Sequence, residues 1–522
     1  MVQKSIKQLQ KEGKLPDLEM PEFSVEHPEE KIYGDYATNA AMLIGKVGKK
    51  NPMEFADLIA ESLGQLADEP LFEKIEVVKP GFINFFISKK YLQKQVEEIL
   101  RQGEKFGELG IGEGQRVNVE FISANPTGPL TLGNGRGGFC GDVLSNILGK
   151  TGYKVAREYY VNDAGEQIRK LGHSILGDKE AVYKGDYISE LQERLKEKDI
   201  AKLSKEAADL ILKEKIMPAV GKMEIGFDEW FYESQLYKTG EVEDILSYLK
   251  SKKLTYEEEG ALWFNSKKLG DDKDRVLVKA DGEKTYFLSD IAYLKNKFER
   301  GFQKLIFFWG ADHYGYINRM KAAAEALGYK KEQLDIIIMQ LVSIMQSGEK
   351  LRMSKREGVY RTIEELIDNL GIDIVRFFFL MRSPTTHLVF NLDLAKEQSE
   401  KNPVYYIQYA HARICSILRK IESVKSKKIN EEMLEHPSEL RLIKELIRLL
   451  EIIEDTAKDY QVQRIPQYAL DIATSFHQFY RDCQVISEKE GLNKNRLNLI
   501  SATKIVLKNT LNLMGISAPE KM

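Results

Sequence analysis

The residues of this chain that are suited to chemistry stand in turns that follow apolar, strand-like runs. The first of these turns, residues 123–134, is rich in proline, glycine and asparagine and joins the run 117–122 to an amphipathic segment, 135–149. A strand, a glycine-containing turn and a helix N-terminus leave backbone amides free beside the positive end of a helix dipole. The turn therefore predicts a phosphate site. An ordinary strand-to-helix turn is the alternative interpretation, because many such turns share this spacing.

Two later turns carry polar groups in comparable positions. Residues 310–313 have the sequence Gly-Ala-Asp-His and follow the predicted strand 304–308, and residues 346–358 follow the predicted strand 336–342. The second of these turns is polar, basic and bounded by glycines, which predicts a mobile loop. A basic loop at the carboxyl edge of a parallel sheet is well placed to reach the phosphates of a nucleotide.

The elements that position these turns divide the 522 residues into three predicted domains. Residues 1–110 predict a small α+β domain. Residues 111–391 predict an α/β domain with a Rossmann-type, doubly wound parallel sheet, in which 175–255, dense in lysine and glutamate with helical periodicity, form a helical insertion. Residues 392–522 predict an all-α domain with helices over 393–420, 439–457, 461–486 and 493–513.

Composition limits the classes of function. The net charge of −3 gives no sign of a polyanionic partner, although a bipolar surface can still carry a basic face. Cys140, Cys415 and Cys483 are isolated, which argues against a disulfide framework or a cysteine-rich zinc site and suits a reducing cytoplasm. Neither a signal-like segment nor an apolar run of membrane-spanning length is found, so we expect a soluble intracellular protein.

The three turns together resemble the signatures of class I aminoacyl-tRNA synthetases, whose two motifs are written HIGH and KMSKS. Their counterparts here are Pro-Thr-Gly-Pro-Leu-Thr-Leu-Gly-Asn at 126–134, Gly-Ala-Asp-His at 310–313, and Arg-Met-Ser-Lys-Arg at 352–356. Residues 119–130 resemble the arginyl-tRNA synthetase version of the first motif. Further matches to that family follow its order over nearly the whole chain, at 33–39, 81–85, 159–165, 409–413 and 518–522.

The resemblance implies an arginine–tRNA ligase. In that reaction the carboxylate of L-arginine attacks the α-phosphorus of ATP, pyrophosphate leaves, and the arginyl group passes to the terminal ribose of tRNA(Arg). The resemblance also implies Mg²⁺ with the ATP, a monomer, and binding of tRNA before arginine is activated. Neither DNA nor a membrane is expected as a partner, and no carboxylate cluster predicts a dedicated metal site.

The resemblance also assigns residues to ATP. Thr131, Asn134, Lys355 and Arg352 are the expected catalytic residues, because phosphoryl transfer needs positioning and charge neutralisation. Gly133 is expected under the adenine, and Gly310 and Asp312 at the ribose. The remaining expected ATP contacts are Pro129, His313, Met353 and Ser354. For His313 alone, a histidine with purely structural hydrogen bonds is the alternative.

The first motif departs from the family pattern, because Thr131 and Asn134 stand where two histidines are expected. Threonine and asparagine can also donate hydrogen bonds to phosphates, but neither can carry the positive charge of an imidazolium. In the second motif Arg352 replaces the first lysine, whereas Lys355 is kept. These departures leave open an alternative function, a catalytically weakened paralogue that binds tRNA.

Arginine requires acceptors, because its guanidinium group carries five donors and no acceptor. Glu120 lies in a predicted buried strand, where a carboxylate is costly unless it is paired. By resemblance, Glu120 and Asp290 face the guanidinium, Tyr286 packs beside them, and Asn125 holds the amino-acid end of the substrate. Asp290 is alternatively a helix N-terminal carboxylate, and a ligase for lysine is a rival within the enzyme class. Such a polar pocket needs no proofreading. We therefore expect residues 175–255 to lie near the acceptor stem and not to form an editing domain.

The resemblance places tRNA contacts in both terminal domains. Phe82 and Asn84 are expected to contact the D-loop, with an aromatic ring stacking on an unpaired base. Alternatively, Phe82 is a core residue of a small sheet. The expected anticodon contacts are Tyr409, Arg413, Tyr480 and Met522. The aromatic residues next to Tyr480, at 476–479, are alternatively plain core.

Overall fold

The computed structural model describes residues 1–65, 71–351, 362–422, 429–487 and 491–522. Within these ranges the chain forms two compact units, each assembled from separate stretches of sequence. The first unit comprises Met1–Phe106, Ile414–Arg448 and Thr474–Val506. The second comprises Gly107–Arg413, Leu449–Ala473 and Leu507–Met522. No helix in the described ranges is long and apolar enough to cross a membrane.

The N-terminal part of the first unit is a four-stranded antiparallel sheet with helices packed on it, as predicted for a small α+β domain. The strand order is β1-β2-β4-β3. Ile6, Ile44, Ile59 and Phe85 are buried in the core that the helices and the sheet share. The strands are β1 (Val25–Glu26), β2 (Tyr36–Thr38), β3 (Phe72–Val78) and β4 (Phe82–Ile87), and the helices are α1 (Val2–Lys11), α2 (Ala40–Gly48), α3 (Pro52–Gln65) and α4 (Lys89–Gln102).

The second unit is built on a five-stranded parallel sheet with the order β12-β11-β5-β6-β7. The strands β11 and β12 are near-continuous apolar runs, as expected for a parallel sheet covered on both faces, whereas β5 and β6 also carry buried polar residues. The strands in this region are β5 (Arg116–Glu120), β6 (Lys154–Val161), β7 (Glu229–Tyr232), β8 (Thr255–Glu258), β9 (Ala261–Phe264), β10 (Arg275–Val278), β11 (Lys304–Gly310) and β12 (Leu334–Met339). From β5 to β7 successive strands are added on one side of β5, whereas β11 and β12 are added on its other side, so the strand order reverses between β5 and β11. This reversal confirms the doubly wound prediction and marks the usual position of a ligand crevice.

The strands β8 to β10 form a separate antiparallel sheet, and a third sheet of the order β14-β13-β15 follows β12. The strand predicted over 336–342 is therefore two strands in different sheets. The additional strands are β13 (Val342–Gln346), β14 (Glu349–Lys350) and β15 (Leu388–Asn391). The helices are α5 (Leu132–Lys150), α6 (Glu166–Leu176), α7 (Asp186–Arg194), α8 (Ile200–Ile211), α9 (Met217–Lys222), α10 (Glu233–Lys238), α11 (Glu241–Ser251), α12 (Tyr286–Glu299), α13 (Ile317–Ala326), α14 (Ile363–Leu370), α15 (Ile372–Leu380) and α16 (Leu392–Lys396).

Helix α5 is buried along almost its whole length against this sheet. Phe139, Val143 and Ile147 are fully buried. Gly141 allows the helix to approach β5 closely, because a Cβ atom added there would lie 2.3 Å from the Phe121 ring. A helix that is apolar or small on every face is a core element.

The structure differs from the predicted helical insertion in one respect. Helices α7 to α11 and a π-helical turn, Leu212–Ile216, occupy most of residues 175–255. However, residues 229–232 form β7, which pairs in parallel with β6 and is therefore part of the main sheet. The run Glu-Trp-Phe-Tyr is short and lies between helical segments, and so its strand character is hard to recognise from periodicity.

The C-terminal region is helical as predicted, apart from three short strands. Helix α17 begins at a proline, and the Asn402 Oδ1 atom before it accepts from the Val404 amide at 3.0 Å. The helices are α17 (Pro403–Glu422), α18 (Pro437–Ile447), α19 (Leu449–Asp459), α20 (Arg464–Asp482) and α21 (Lys494–Met514), and the strands are β16 (Ile429–Asn430), β17 (Ile486–Ser487) and β18 (Gly491–Asn493).

Candidate active site

The predicted phosphate turn begins where β5 ends and leads into α5. Thr131 is the N-cap of α5, and its hydroxyl accepts from the backbone amide of Asn134 at 3.3 Å. The Asn134 Oδ1 atom in turn accepts from the Thr131 amide at 2.9 Å and from the Thr131 hydroxyl at 2.7 Å. The two residues that replace the family's histidines therefore form a reciprocal capping box.

This capping box determines which donors remain for a phosphate. The Thr131 hydroxyl proton is already donated to Asn134, whereas the Asn134 Nδ2 group has no partner among the described residues. The Gly133 amide, in the first turn of α5, also has no hydrogen-bond partner among the described residues, as is usual for the first amides of a helix. The described residues do not crowd Gly133, because a Cβ atom added there would make an ordinary van der Waals contact with Thr131 Oγ1 at 3.6 Å. Asn134 and the helix N-terminus are thus the donors available to an anion.

Most of the predicted basic loop lies outside the described residues. Four of its predicted ATP contacts are therefore not described, namely Arg352, Met353, Ser354 and Lys355. The described residues that follow this loop, from Thr362 onwards, contact the phosphate turn. Thr362 forms an antiparallel bridge with Thr131, and the Ile363 amide donates to the Leu130 carbonyl at 3.1 Å. Pro129, the remaining predicted ATP contact of the turn, is the residue before Leu130.

Helix α5 also holds the segment that leads towards this loop. Arg136 is fully buried, and its guanidinium donates to the carbonyls of Gln340 and Ser383 at 2.9 and 2.8 Å. Burial lowers the pKa of Arg136. Gln340 lies two residues before β13, which pairs with β14. Arg136 therefore connects α5 to the segment that precedes the basic loop. This connection was not predicted from the sequence.

Glu120, predicted to face a guanidinium, is held by a buried lysine at the end of β5. Lys297 of α12 is fully buried and lies 2.7 Å from the Glu120 carboxylate. The Tyr293 hydroxyl and the Ser123 hydroxyl donate to the same carboxylate at 2.8 and 3.2 Å. The charge of Glu120 is thus already balanced within the protein.

Glu158 is the neighbour of Glu120 on β6 and is balanced in the same way. Lys297 lies 3.2 Å and Arg300 2.8 Å from its carboxylate, and the Asn118 amide donates to it at 2.9 Å. Burial raises the pKa of Glu158, but Lys297 and Arg300 outweigh this effect and lower the pKa to about 2. Glu120, Glu158, Lys297 and Arg300 form what we call the compensated cluster.

Asp290, by contrast, has no ion pair within the described part of the chain. It lies in the second turn of α12 and is therefore not a helix N-terminal carboxylate; it is half-buried and accepts from the Tyr316 hydroxyl. Burial raises the pKa of Asp290 to about 6; the nearby Glu120 carboxylate adds to this rise, whereas the Tyr316 hydroxyl and the more distant Arg319 guanidinium oppose it without cancelling it. The electrostatic effect of Glu120 on Asp290 indicates that these two predicted residues are brought together.

Glu233 is a second carboxylate of this kind, and the sequence analysis did not identify it. It follows β7 directly, is 2% exposed, and accepts from the Ser289 hydroxyl at 3.0 Å and from the Asn162 amide at 2.9 Å. Burial raises the pKa of Glu233 to about 7, and repulsion from Asp290 and Asp163 adds to the rise. Recognising β7 would have revealed Glu233, because the carboxyl ends of parallel strands meet at one edge. Asp290 and Glu233 form the uncompensated pair.

Tyr286 and Asn125 both contact the first turn of α6. The Tyr286 hydroxyl accepts from the Glu166 amide at 2.6 Å, and the Asn125 amide donates to the Gln167 side chain at 2.6 Å. Gln167 therefore orients Asn125 so that its carbonyl oxygen is available to an incoming donor. Gln167 is a further residue that the sequence analysis missed, since its contact depends on the packing of α6.

Gly310, Asp312 and His313 are exposed at the end of β11, across the switch point from the phosphate turn. The His313 ring lies 5.9 Å from the Trp309 ring. Among the described residues, no group of three or more His, Cys, Asp or Glu side chains has the arrangement of a metal site.

The predicted tRNA contacts differ in their exposure. Phe82 is 38% exposed at the start of β4, whereas Asn84 on the same strand is only 2% exposed. Phe82 is therefore a surface residue and not a core residue of the small sheet, and Asn84 does not present its side chain at the surface.

The predicted anticodon contacts are more uniform. Tyr409, Tyr480 and Met522 are exposed, and Arg413 is half-buried. Phe476 and Phe479 are fully buried, so the core interpretation of these two aromatic residues is confirmed.

Comparison with known proteins adds family models over three parts of the chain. Residues 1–87 match an arginyl tRNA synthetase N terminal domain, 95–181 and 173–374 match a class I (R) tRNA synthetase catalytic domain, and 407–522 match a DALR anticodon binding domain.

Similar proteins cover nearly the full length. The chain is 45% identical to arginine–tRNA ligase 1 of Halalkalibacterium halodurans and 44% identical to the arginine–tRNA ligase of Bacillus subtilis, in both cases over 98% of this chain and 96% of the relative. Thermus thermophilus arginyl-tRNA synthetase has the same fold, with a TM-score of 0.77 over 99% of both chains at 21% identity. The chain therefore belongs to the arginyl-tRNA synthetase family of class I aminoacyl-tRNA synthetases.

Proposed function

We propose that this chain activates L-arginine with ATP in the cleft between β5 and β11 and transfers the arginyl group to the 3′ end of tRNA(Arg), releasing AMP and diphosphate. Membership of the family makes the chain an arginine–tRNA ligase of class I. The observation that carries the assignment to this cleft is the uncompensated pair. Two carboxylates with raised pKa values, the buried Glu233 and the half-buried Asp290, form no ion pair with a described residue and favour a cationic ligand.

The guanidinium group fits this pair chemically. Asp290 and Glu233 supply acceptors to its donors, and charge-assisted hydrogen bonds of this type are the strong ones. Glu120 lies beside Asp290 but shares its charge with Lys297. In this proposal Glu120 therefore contributes an acceptor with a fixed orientation, while Asp290 and Glu233 supply the negative charge. Tyr286 packs at the entrance, and Asn125, oriented by Gln167, accepts from the amino group of arginine.

In the first step, a carboxylate oxygen of arginine bonds to the α-phosphorus of ATP, and the bond to the bridging oxygen of pyrophosphate breaks. The Asn134 amide and the N-terminal amides of α5 donate to the phosphates. Pro129 and Gly133 border the adenosine, and Gly310, Asp312 and His313 hold the ribose. A preorganised donor of this kind is worth about 10²–10³ in rate. Lys355 and Arg352, assisted by Met353 and Ser354, bring positive charge from the adjoining loop.

In the second step, a hydroxyl of the terminal ribose of tRNA attacks the arginyl carbonyl, and AMP leaves. We propose that Phe82 stacks at the D-loop, with Asn84 supporting it from within the strand. Tyr409, Arg413, Tyr480 and Met522 contact the anticodon. We also propose that tRNA binds before arginine is activated. The domain division is 1–110, 111–391 and 392–522, with residues 175–255 near the acceptor stem.

We further propose that the protein is a cytoplasmic monomer and that Mg²⁺ accompanies the ATP. The described residues do not fit a dedicated metal site, because they contain no suitable group of ligands. Mg²⁺ commonly binds through substrate phosphates and retained waters.

The test is aminoacylation of a tRNA(Arg) transcript by the purified chain, with L-arginine and L-lysine compared as substrates. We expect charging with arginine alone, and arginine-dependent ATP–pyrophosphate exchange only when the tRNA is present. Binding of the transcript without either reaction would contradict the ligase and would favour the alternative, a protein that binds tRNA without charging it. Charging with lysine would contradict the assignment of the uncompensated pair.

A further inference from the structure

The helical region 175–255 contacts the phosphate turn through one tyrosine. The Tyr187 hydroxyl of α7 donates to the Thr127 carbonyl at 3.0 Å. Its ring also covers Gly128, since a Cβ atom added to Gly128 would lie 3.1 Å from the Tyr187 hydroxyl oxygen and 3.3 Å from the adjoining ring carbon. Tyr187 therefore packs closely against the backbone that leads into Pro129 and the α5 capping box.

Helix α7 is itself held firmly. The Ser174 hydroxyl of α6 accepts from the backbone amides of Val182 and Tyr183 at 3.0 and 2.9 Å, just before α7 begins. At the other end, Arg194 forms a bidentate ion pair with Glu214 at 2.6 and 2.7 Å. The apolar side of α7 is buried through Ile188 and Leu191. Tyr187 thus stands on an element whose position is fixed independently of the turn.

The turn depends on such contacts because it has little regular structure of its own. Its internal backbone hydrogen bond runs from the Thr127 amide to the Asn125 carbonyl at 2.7 Å. On the sheet side, the Tyr159 hydroxyl donates to the Ala124 carbonyl at 2.8 Å. Tyr187 contacts Thr127 and Gly128, further along the turn, and it belongs to the helical region instead of the sheet.

We propose that Tyr187 is a positioning residue for the ATP-binding turn, and that the helical region 175–255 acts on adenylate formation through it. This inference rests on the proposed function of the turn. The turn and the N-terminus of α5 are continuous, so a displacement at Thr127 and Gly128 moves the donors of Gly133 and Asn134. A misplacement of about 1 Å in a catalytic group can cost about 10²-fold in rate.

The decisive variant is Tyr187→Phe, which removes the hydroxyl and keeps the ring. The matched control is Tyr183→Phe in the same segment, because the Tyr183 hydroxyl makes no hydrogen bond to any part of the chain that the structure describes. In arginine-dependent ATP–pyrophosphate exchange with tRNA present, we expect Tyr187→Phe to lower kcat/KM for ATP by about three- to tenfold, the typical effect of one lost hydrogen bond. The loss should be smaller for arginine, because its guanidinium group is proposed to bind outside the turn, and Tyr183→Phe should match the wild type.

Equal kcat/KM values for ATP in Tyr187→Phe and Tyr183→Phe would overturn the proposal. An equal loss towards ATP and arginine would also overturn it, since that result indicates a general structural defect.

A second readout separates this inference from the proposed function. Hydrogen–deuterium exchange of the amides of residues 123–134 can be followed without any activity. We expect faster exchange in Tyr187→Phe than in Tyr183→Phe, with unchanged exchange in the sheet. If the wild type shows no ligase activity but this difference is found, the proposed function fails and the contact stands. If the exchange rates are the same, the contact does not position the turn.

Discussion

Two sets of buried or half-buried carboxylates near the carboxyl edge of the parallel sheet are balanced in opposite ways. In the compensated cluster, Glu120 and Glu158 share the two cations Lys297 and Arg300, and the pKa of Glu158 is lowered to about 2. In the uncompensated pair, hydroxyl and amide donors contact Asp290 and Glu233, but no cation pairs with them in the described ranges, and their pKa values are raised to about 6 and 7.

The difference indicates two roles for the same chemical group. A buried ion pair holds its elements in one arrangement, and removal of one partner leaves an uncompensated charge that is costly. A buried carboxylate without a cation costs folding energy until a cation arrives, and such groups concentrate at functional sites. The compensated cluster therefore joins β5, β6 and α12, whereas the uncompensated pair is the part of the cleft prepared for arginine.

The largest expected effect comes from breaking the compensated cluster. Lys297→Met leaves Glu120 and Glu158 with a single cation, and we expect the free energy of unfolding to fall by about 3–5 kcal/mol. Chemical denaturation of the ligand-free protein measures this value. The control is Lys295→Met on the same helix, which removes a pair with Glu299 at the surface. It should cost about 0.5 kcal/mol or less. Equal stability of the two variants would show that the cluster does not hold the fold.

Removing the charge of one member of the uncompensated pair should lower arginine use and leave the stability of the fold unchanged. Asp290→Asn takes away the charge expected to bind the guanidinium, and we expect kcat/KM for arginine to fall about 10- to 150-fold, in line with a lost charge-assisted hydrogen bond. The ligand-free protein should be no less stable than the wild type, because Asp290 has no ion pair among the described side chains.

The matched control is Asp335→Asn, which removes an aspartate that pairs with Lys304 and accepts from the Tyr460 hydroxyl at 2.8 Å. It should lower stability and leave kcat/KM for arginine unchanged. Loss of arginine use in both variants, or in neither, would remove the distinction between paired and unpaired acids.

The pH dependence should sharpen the comparison. The pKa values of Asp290 and Glu233 are raised from 3.8 and 4.5 to about 6 and 7, so the folded protein retains protons that the unfolded chain releases. Their contribution to stability is present below a pH of about 4 and is lost as the pH rises through 6 and 7. Arginine binding needs the ionised forms. The increase in Tm that arginine causes, measured by thermal unfolding, should therefore be larger at pH 8 than at pH 5.5. An increase in Tm that does not change with pH would contradict the assignment of these carboxylates to arginine.

The smallest effect is expected for Glu233→Gln. Because the pKa of Glu233 is raised to about 7, the residue is only partly ionised at neutral pH. A glutamine keeps one acceptor oxygen, which can still accept from the Ser289 hydroxyl, and replaces the oxygen that accepts from Asn162 by a donor. We expect kcat/KM for arginine to fall by about three- to tenfold at neutral pH. The loss should be larger at pH 8, where the wild-type carboxylate is mostly ionised. A loss that is independent of pH would assign Glu233 a purely structural role.

The sequence predicted those features that depend on local patterns. Apolar runs and turn residues placed β5, β6, β11 and β12, and the order of the three motifs indicated the family. The strand β7 was not predicted, because four residues between helices carry too little periodicity, and Glu233 at its end was missed with it. The role of Lys297 could not be predicted either, since its partners Glu120 and Glu158 are brought to it only by tertiary packing.

The most direct test of the central claim is calorimetric titration of arginine near pH 6.5 in two buffers of different ionisation enthalpy. With pKa values of about 6 and 7, the uncompensated pair holds about one proton at this pH. We predict that arginine binding releases most of this proton in the wild type and much less of it in Asp290→Asn combined with Glu233→Gln. Arginine binding without any proton release by the wild type would contradict the assignment of these carboxylates to the guanidinium.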